Sequence, residues 1–145
     1  MDRVVGMKVA TYEFRLRTRG EGDVLDVTDR VAEAVSRSGV KEGMANAFVA
    51  GSTAAVSTME YEPGLIEDLP RMLEHVAPKS EVYKHHLRWG DDNGHSHVRA
   101  TIIGPSVTVP VSGGRPLLGT WQQVVLIELD TRPRERRLIV TVMGE

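Results

Sequence analysis

Hydrophobic and polar residues alternate in several short runs along the chain, which is the pattern of strands with one buried face. In the first run, residues 8–17, the buried face is formed by Ala10, Tyr12, Phe14 and Leu16. The other runs are rich in valine, isoleucine and leucine and are separated by turn-forming residues. The pattern predicts eight short strands, at residues 8–17, 22–27, 45–49, 54–59, 97–103, 107–111, 121–129 and 136–143.

Two other segments repeat their hydrophobic residues at the spacing of an amphipathic helix. The first is capped by Asp26 or Thr28 and is predicted to stop at Gly39. The second lies between two prolines, at 63–78. Pro70 falls inside this second segment and predicts either a later helix start or a kink, because proline cannot donate the helical hydrogen bond.

Strands and helices in this order predict an α+β fold with mostly antiparallel sheets, a sandwich-like arrangement of about eight strands and two helices. The length of 145 residues predicts one domain that spans residues 1–145. Hydrophobic residues make up 41% of the chain, and counting the 14 glycines while leaving out the 3 tyrosines gives about 49%, a share typical of globular proteins that excludes general disorder.

The charge balance and the absence of cysteine exclude several classes of function. The 18 basic and 20 acidic residues give a net charge of −2, which argues against a dedicated nucleic-acid-binding protein. A chain without cysteine has no disulfide, no thiolate zinc site and no cysteine nucleophile.

The N-terminal residues are charged from position 2 and lack the hydrophobic core of a signal peptide. The sequence also has no run approaching 18 hydrophobic residues, so no membrane span is predicted. We therefore expect a soluble, cytoplasmic protein.

Four of the five histidines fall between positions 85 and 97, next to several acidic residues. In the strand predicted to start near His95, this residue and His97 would point to the same face. Two such imidazoles, closed by His85 or His86 from upstream, would form a three-histidine site for a divalent metal such as zinc or magnesium. Carboxylates available as a fourth ligand or as partners of the histidines are those of Glu60, Asp91 and Asp92.

Two alternatives to a metal centre stay open for these histidines. They could be the exposed face of a strand beside a turn, with their imidazoles hydrogen-bonded to water. Without a metal, the same imidazoles could instead serve as general acid and general base near neutral pH.

A turn of small residues at 51–55 (Gly-Ser-Thr-Ala-Ala) offers hydroxyl groups and backbone N–H groups to an anion such as phosphate. Ser52 and Thr53 are the candidate binding residues of this turn, and Arg115 could add positive charge. An ordinary turn without a ligand is the alternative for the same residues.

Five motifs in fixed order give the chain a clear resemblance. They are DNGHSH at 92–97, IGPSVTVP at 103–110, GR at 114–115, LGTWQ at 118–122 and GE at 144–145. Together they resemble the YjbQ family, and the likeness extends from about residue 8 to the end of the chain. The resemblance implies a small α+β domain assembled as a homotrimer, with secondary thiamine-phosphate synthase activity that joins an aminopyrimidine diphosphate to a thiazole phosphate.

The resemblance also implies the residues of the site. We expect His85, His95, His97, Asp92 and Glu60 to be catalytic, with the three histidines as the metal ligands. The residues that the resemblance implies for binding a small phosphorylated substrate are Thr53, Asn93, Ser106, Arg115, Thr120 and Gln122, and Ser52 of the turn at 51–55 is expected to join them. Many members read His-Thr-Thr-Ala-Ala where this chain has Gly-Ser-Thr-Ala-Ala, so Gly51 departs from the family pattern.

Three functions remain open on these residues. The first is thiamine-phosphate synthesis. The second is a metal-dependent hydrolase of a small phosphorylated or ester substrate, in which a metal-bound water attacks. The third is a binding module for a small ligand, without turnover.

Overall fold

A computed structural model describes residues 6–145 and contains eight strands and four helices in that range. The N-terminal residues 1–5, from which the absence of a signal peptide was partly argued, lie outside the described residues. The strands are β1 (Lys8–Arg17), β2 (Val24–Asp26), β3 (Gly43–Val49), β4 (Ala54–Met59), β5 (Ser106–Ser112), β6 (Arg115–Pro116), β7 (Gln123–Glu128) and β8 (Glu135–Gly144). The helices are α1 (Thr28–Ser38), α2 (Pro63–Val76), α3 (Lys84–Trp89) and α4 (Gly94–Ile103).

The strands form two sheets in which every observed pair is antiparallel. One sheet has five strands in the order β1-β8-β3-β5-β6, and the other has three in the order β2-β7-β4. The predicted α+β class with antiparallel sheets is confirmed.

The main hydrophobic core lies between the two sheets and α1. Alternate residues of β8, such as Leu138 and Val140, meet Val124 and Leu126 of β7 there. The other face of β7, with Val125 and Ile127, packs in a second cluster that includes residues of α2 and α4. Strand β7 is therefore covered on both faces, which explains its nearly continuous hydrophobic run.

The outer face of the five-stranded sheet is exposed and partly hydrophobic. Val9, Met143 and Met44 are partners in one row across β1, β8 and β3, and all three are exposed together with Phe48. This face contrasts with the inner face of the same strands, which supplies the main core.

The segment 97–103, predicted as a strand, is instead the second part of helix α4. A short hydrophobic run fits a buried strand and a buried helix turn equally well, and here Ser96, Arg99 and Ala100 face the interior at helical spacing. Helix α3 was also not predicted. It has no buried residue, so it lacks the hydrophobic periodicity from which a helix is predicted.

Helix α2 starts at Pro63 and continues through Pro70, so Pro70 does not delay its start. Both carboxylate oxygens of Glu62 accept hydrogen bonds, from the N–H groups of Gly64 and Leu65 at 2.8 Å each. This cap fixes the first turn of the helix. Across the described residues, no helix has both the length and the hydrophobicity needed to cross a bilayer.

Candidate functional site

The helical conformation of residues 94–103 sends His95 and His97 in different directions. Residues two positions apart on an α-helix are separated by about 200° around its axis, whereas on a strand they share a face. His95 is buried, and its Nε2 lies 2.5 Å from Oε1 of Glu21 in the loop between β1 and β2. His97 is half-buried and faces His85 instead.

His85 and His97 form a close pair of imidazoles. Their ring centres are 4.4 Å apart and the rings are tilted by 40°. His85 comes from α3, which ends at Gly90 in a left-handed conformation, and Asp92 with φ of 59° then turns the chain toward α4. Oδ1 of Asp91, in this turn, lies 3.3 Å from Nδ1 of His85.

The pKa of His97 is lowered from its ordinary value. Burial is the main cause, and the neighbouring imidazole of His85 adds to it. The carboxylates of Asp130 and Asp91 act in the opposite direction but do not cancel the decrease. His97 is therefore neutral near pH 7, in the form that accepts a proton.

Asp130 is a buried carboxylate just after the end of β7 that acts electrostatically on His97. It accepts hydrogen bonds from the Thr131 N–H (2.8 Å), Arg134 (2.7 Å) and Thr53 (3.0 Å). Burial alone would raise the pKa of Asp130, but these hydrogen bonds and one from Asn93 outweigh it and lower the pKa to about 2. Asp130 is therefore a permanent negative charge at neutral pH.

Asn93 precedes α4 and joins its start to the carboxylates. Its Nδ2 lies 3.4 Å from Oδ1 of Asp130. With the amide turned over, the nitrogen donates to Asp91 at 3.0 Å instead. In either orientation, Asn93 connects the helix that holds His97 to an acidic residue near it.

A second buried ion pair lies next to Asp130. Nε and Nη2 of Arg136 donate to the two carboxylate oxygens of Glu128, at 2.8 and 2.5 Å. Nη2 also donates to the Thr53 hydroxyl at 2.8 Å, and the hydroxyl of Thr18 donates to Glu128 at 2.7 Å. The Thr53 hydroxyl thus contacts both Arg136 and Asp130, and this use of its hydrogen-bonding capacity indicates a structural role.

His95 belongs to a separate polar cluster. Besides His95, the carboxylate of Glu21 contacts Nζ of Lys79 at 2.5 Å. Buried Arg99 lies 4.0 Å from the same carboxylate and donates to Glu74 and to the carbonyl of Ala77. This cluster joins the β1–β2 loop to α4 and to the end of α2, so His95 does not meet His97 or His85.

The three-histidine metal centre expected from the sequence is not formed. His85 and His97 are close together, but His95 is bonded to Glu21 on another side of α4. Within residues 6–145, no group of three histidine or acidic side chains has the arrangement needed to hold a metal ion. The donor set does not fit zinc or magnesium, and the physical reason is the helix at 94–103 in place of the expected strand.

Several other predicted site residues lie away from the histidine pair. Arg115 and Gln122 line a surface depression of about 510 Å³ that also includes residues of α1. Gln122 donates to the Thr58 hydroxyl at 3.0 Å. Asp92 is exposed, and its backbone N–H donates to His86 at 3.2 Å. The remaining predicted residues, Glu60, Ser52, Ser106 and Thr120, are exposed.

Sequence reasoning missed Asp130, Arg136, Glu128 and Glu21. Two of them, Glu128 and Arg136, could have been recognised from their positions in the sequence. Glu128 interrupts the hydrophobic run at 124–129. Arg136 lies two residues before Leu138 and four before Val140, so the strand alternation places its charge on the same, buried face of β8. A charge among core positions predicts a buried partner, and here each residue is the partner of the other.

The sequence matches the family model described as "UPF0047 protein YjbQ-like" over residues 12–145. A UPF0047 protein of Methanothermobacter thermautotrophicus is 40% identical over 141 residues, which cover 97% of this chain and 96% of that protein. A UPF0047 protein of Archaeoglobus fulgidus is 36% identical over 131 residues, or 90% of this chain and 99% of that protein.

Solved structures show the same fold. A YbjQ-like protein of unknown function from Sulfolobus solfataricus has a TM-score of 0.90 and 38% identity, covering 97% of this chain and all of that chain. A hypothetical protein from Aeropyrum pernix has a TM-score of 0.86 and 39% identity, covering 94% of this chain and 99% of that chain.

These comparisons correct the expected function. The family and the relatives carry names without an activity, and the Sulfolobus structure is described as a protein of unknown function. They support neither thiamine-phosphate synthesis nor either alternative, the hydrolase or the binding module, and the described residues form no three-ligand metal site for the hydrolase. What the comparisons establish is membership: the chain belongs to the YjbQ-like UPF0047 family.

Proposed function

We propose that the protein is an enzyme that catalyses proton transfer on a small molecule, with His97 as the general base and His85 as the general acid. The main supporting observation is the pair itself, two imidazoles with ring centres 4.4 Å apart, one of which has a lowered pKa. A base that is neutral at pH 7 and an acid within reach of the same reacting group are the two requirements of this chemistry.

The surroundings of His85 suit the role of the acid. Its Nδ1 is buried and makes no hydrogen bond among the described residues, although Oδ1 of Asp91 is 3.3 Å away. A buried nitrogen without a partner costs free energy, and a catalytic role is one explanation for such an atom. When Nδ1 carries a proton, Asp91 can stabilise it, and Nε2 of the imidazolium is then the atom that donates to the substrate.

The surroundings of His97 suit the role of the base. Once His97 takes a proton from the substrate, it becomes a cation that interacts electrostatically with Asp130, whose low pKa keeps this carboxylate charged. A fixed negative charge stabilises the imidazolium as it forms, without a rearrangement of the protein. Asp91 beside His85 and the electrostatic influence of Asp130 on His97 both support the assigned roles.

The proposal can be tested with a pooled extract of small metabolites incubated with the protein in the presence of EDTA, followed by mass spectrometry. We expect a reproducible change in at least one metabolite with the native protein, and a 10²- to 10⁴-fold slower change with His97→Ala. His85→Ala should also slow it. His75→Ala is the matched control, because His75 is exposed on α2 and bonds only a backbone carbonyl among the described residues.

Two results would contradict the proposal. One is an extract that the native protein leaves unchanged. The other is a change that EDTA abolishes, which would favour the metal prediction made from the sequence.

A further inference from the structure

The turn at residues 51–53 lies against the buried guanidinium of Arg136. A Cβ atom built on Gly51 would stand 2.8 Å from Nη1 of Arg136, closer than real side chains pack. Arg136 cannot swing away easily, because Glu128 holds it through both Nε and Nη2. Only glycine at position 51 leaves the space beside Nη1 open.

Nη1 is a donor without a protein acceptor. The other guanidinium nitrogens of Arg136 donate to Glu128 and Thr53, whereas Nη1 makes no hydrogen bond among the described residues. Although it has no partner within residues 6–145, Nη1 is not one of the buried unpartnered polar atoms there, so it is open to the surface. Arg136 as a whole is only 7% exposed, so a nearly buried cation presents one open nitrogen beside Gly51.

The turn adds further donors at the same place. In the described part of the chain, the backbone N–H groups of Gly51, Ser52 and Thr53 and the hydroxyl of Ser52 have no hydrogen-bond acceptor. A guanidinium and backbone N–H groups only donate, so the group that satisfies them must be an acceptor. Successive free N–H groups next to an arginine are the chemistry of an oxyanion site.

We propose that Gly51, Ser52 and Arg136 bind an oxyanion group of the substrate. This inference rests on the proposed function. Asp130 links the turn to the catalytic pair. Asp130 accepts from the Thr53 hydroxyl at 3.0 Å and is one of the charges that act on His97. An oxyanion at the turn would hold the substrate on one side of Asp130, with His97 near the other.

Recognition depends on hydrogen bonds rather than on net charge, since Glu128 balances the charge of Arg136. An ion with several acceptor oxygens should therefore bind better than chloride at the same ionic strength. The oxyanion of the substrate could be a tetrahedral group or a carboxylate, and sulfate and acetate represent these two possibilities.

The test is a titration of ¹⁵N-labelled protein with sodium sulfate or sodium acetate, compared with sodium chloride at equal ionic strength. We expect saturating shifts of the amide signals of residues 51–53 with at least one oxyanion. Gly51→Ala should weaken this binding about tenfold, the effect of losing one hydrogen bond to a charged group. Gly6→Ala is the matched control, because a Cβ there meets nothing within 4 Å.

Ser52→Ala is a second, milder variant, since Ser52 is exposed and its loss should not affect folding. Shifts that fail to saturate, or that chloride reproduces, would overturn the oxyanion site. If the native protein turns over a metabolite but binds no oxyanion, the site is wrong and the catalytic proposal stands. If oxyanions bind as expected but no metabolite changes, the catalytic proposal fails and the site stands.

Discussion

Asp130 illustrates how a single side chain links stability to the site. The residue is 1% exposed, and its carboxylate accepts hydrogen bonds from Thr131, Arg134 and Thr53. In the unfolded chain it would have an ordinary pKa near 3.8, against about 2 in the folded protein. Because the folded pKa is the lower one, the charged form stabilises the folded state by about 2 kcal/mol above the unfolded pKa.

This stabilisation should disappear as the pH falls from about 4 to about 2. Asp130→Asn should therefore lower the free energy of unfolding at pH 7, and its difference from the native protein should shrink at pH 2. Urea unfolding at several pH values measures both quantities. A difference that stays constant over this range would show that the carboxylate charge is not what stabilises the fold.

His97 gives a second prediction at the same scale. Its imidazole should titrate with a midpoint below the ordinary 6.5, because burial and His85 disfavour the charged form. His85→Ala removes the neighbouring imidazole and opens the site to water, so both causes weaken and the pKa of His97 should rise. NMR titration of the ring protons measures this shift, with His75→Ala as the control that should leave it unchanged.

At the scale of elements, most of the fold was predictable. Strands with one buried face and the two amphipathic helices α1 and α2 show clear periodicity, and β1 and β4 begin and end at the predicted residues. Helix α4 was not predictable in the same way. Its hydrophobic residues form a short run without a distinct period, and contacts with β4 and β7 from distant parts of the chain decide its conformation.

The region of the candidate site was predictable from the density of histidines, but its geometry was not. Side-chain direction follows from the element type. A strand at this place would put His95 and His97 on one face, whereas in helix α4 His97 faces His85 and His95 does not. The acidic partner Asp130 and the buried Arg136 come from around β7 and β8. Their approach to Thr53 and Asn93 depends on sheet pairing, which one sequence does not reveal.

Gly94 controls how α3 and α4 meet. A Cβ on Gly94 would lie 2.4 Å from Cβ of Tyr83, and the Tyr83 hydroxyl is fixed by a 2.7 Å hydrogen bond to the carbonyl of Pro78. Gly94→Ala should therefore destabilise the protein by about 1–3 kcal/mol, the usual cost of overpacking. It should also move His85 away from His97 and raise the pKa of His97.

Thermal unfolding and the His97 titration measure these two effects, with Gly6→Ala as the control glycine. An unchanged melting temperature together with an unchanged His97 pKa would mean that the contact between Gly94 and Tyr83 does not set the spacing of the imidazoles.

At the scale of the whole molecule, we propose that the protein is a homotrimer, as the resemblance implied. One face of the five-stranded sheet exposes Val9, Met44, Phe48 and Met143, and exposed sheet faces and edges favour association. Light scattering should give a mass of about 48 kDa, three times the 16.0 kDa of one chain. A mass of one chain at micromolar concentration would exclude the trimer. The cytoplasmic location stays a prediction.

The burial of β7 on both faces has a consequence for motion at the site. Amides in a strand covered on both sides exchange with solvent only through the largest opening events of a protein. Asp130 is buried and lies two residues beyond β7, so we expect it to open rarely. His85 is on α3, a short helix without a buried residue, which can open locally at little cost. If His97 and His85 act as proposed, we expect the base to be held more rigidly than the acid.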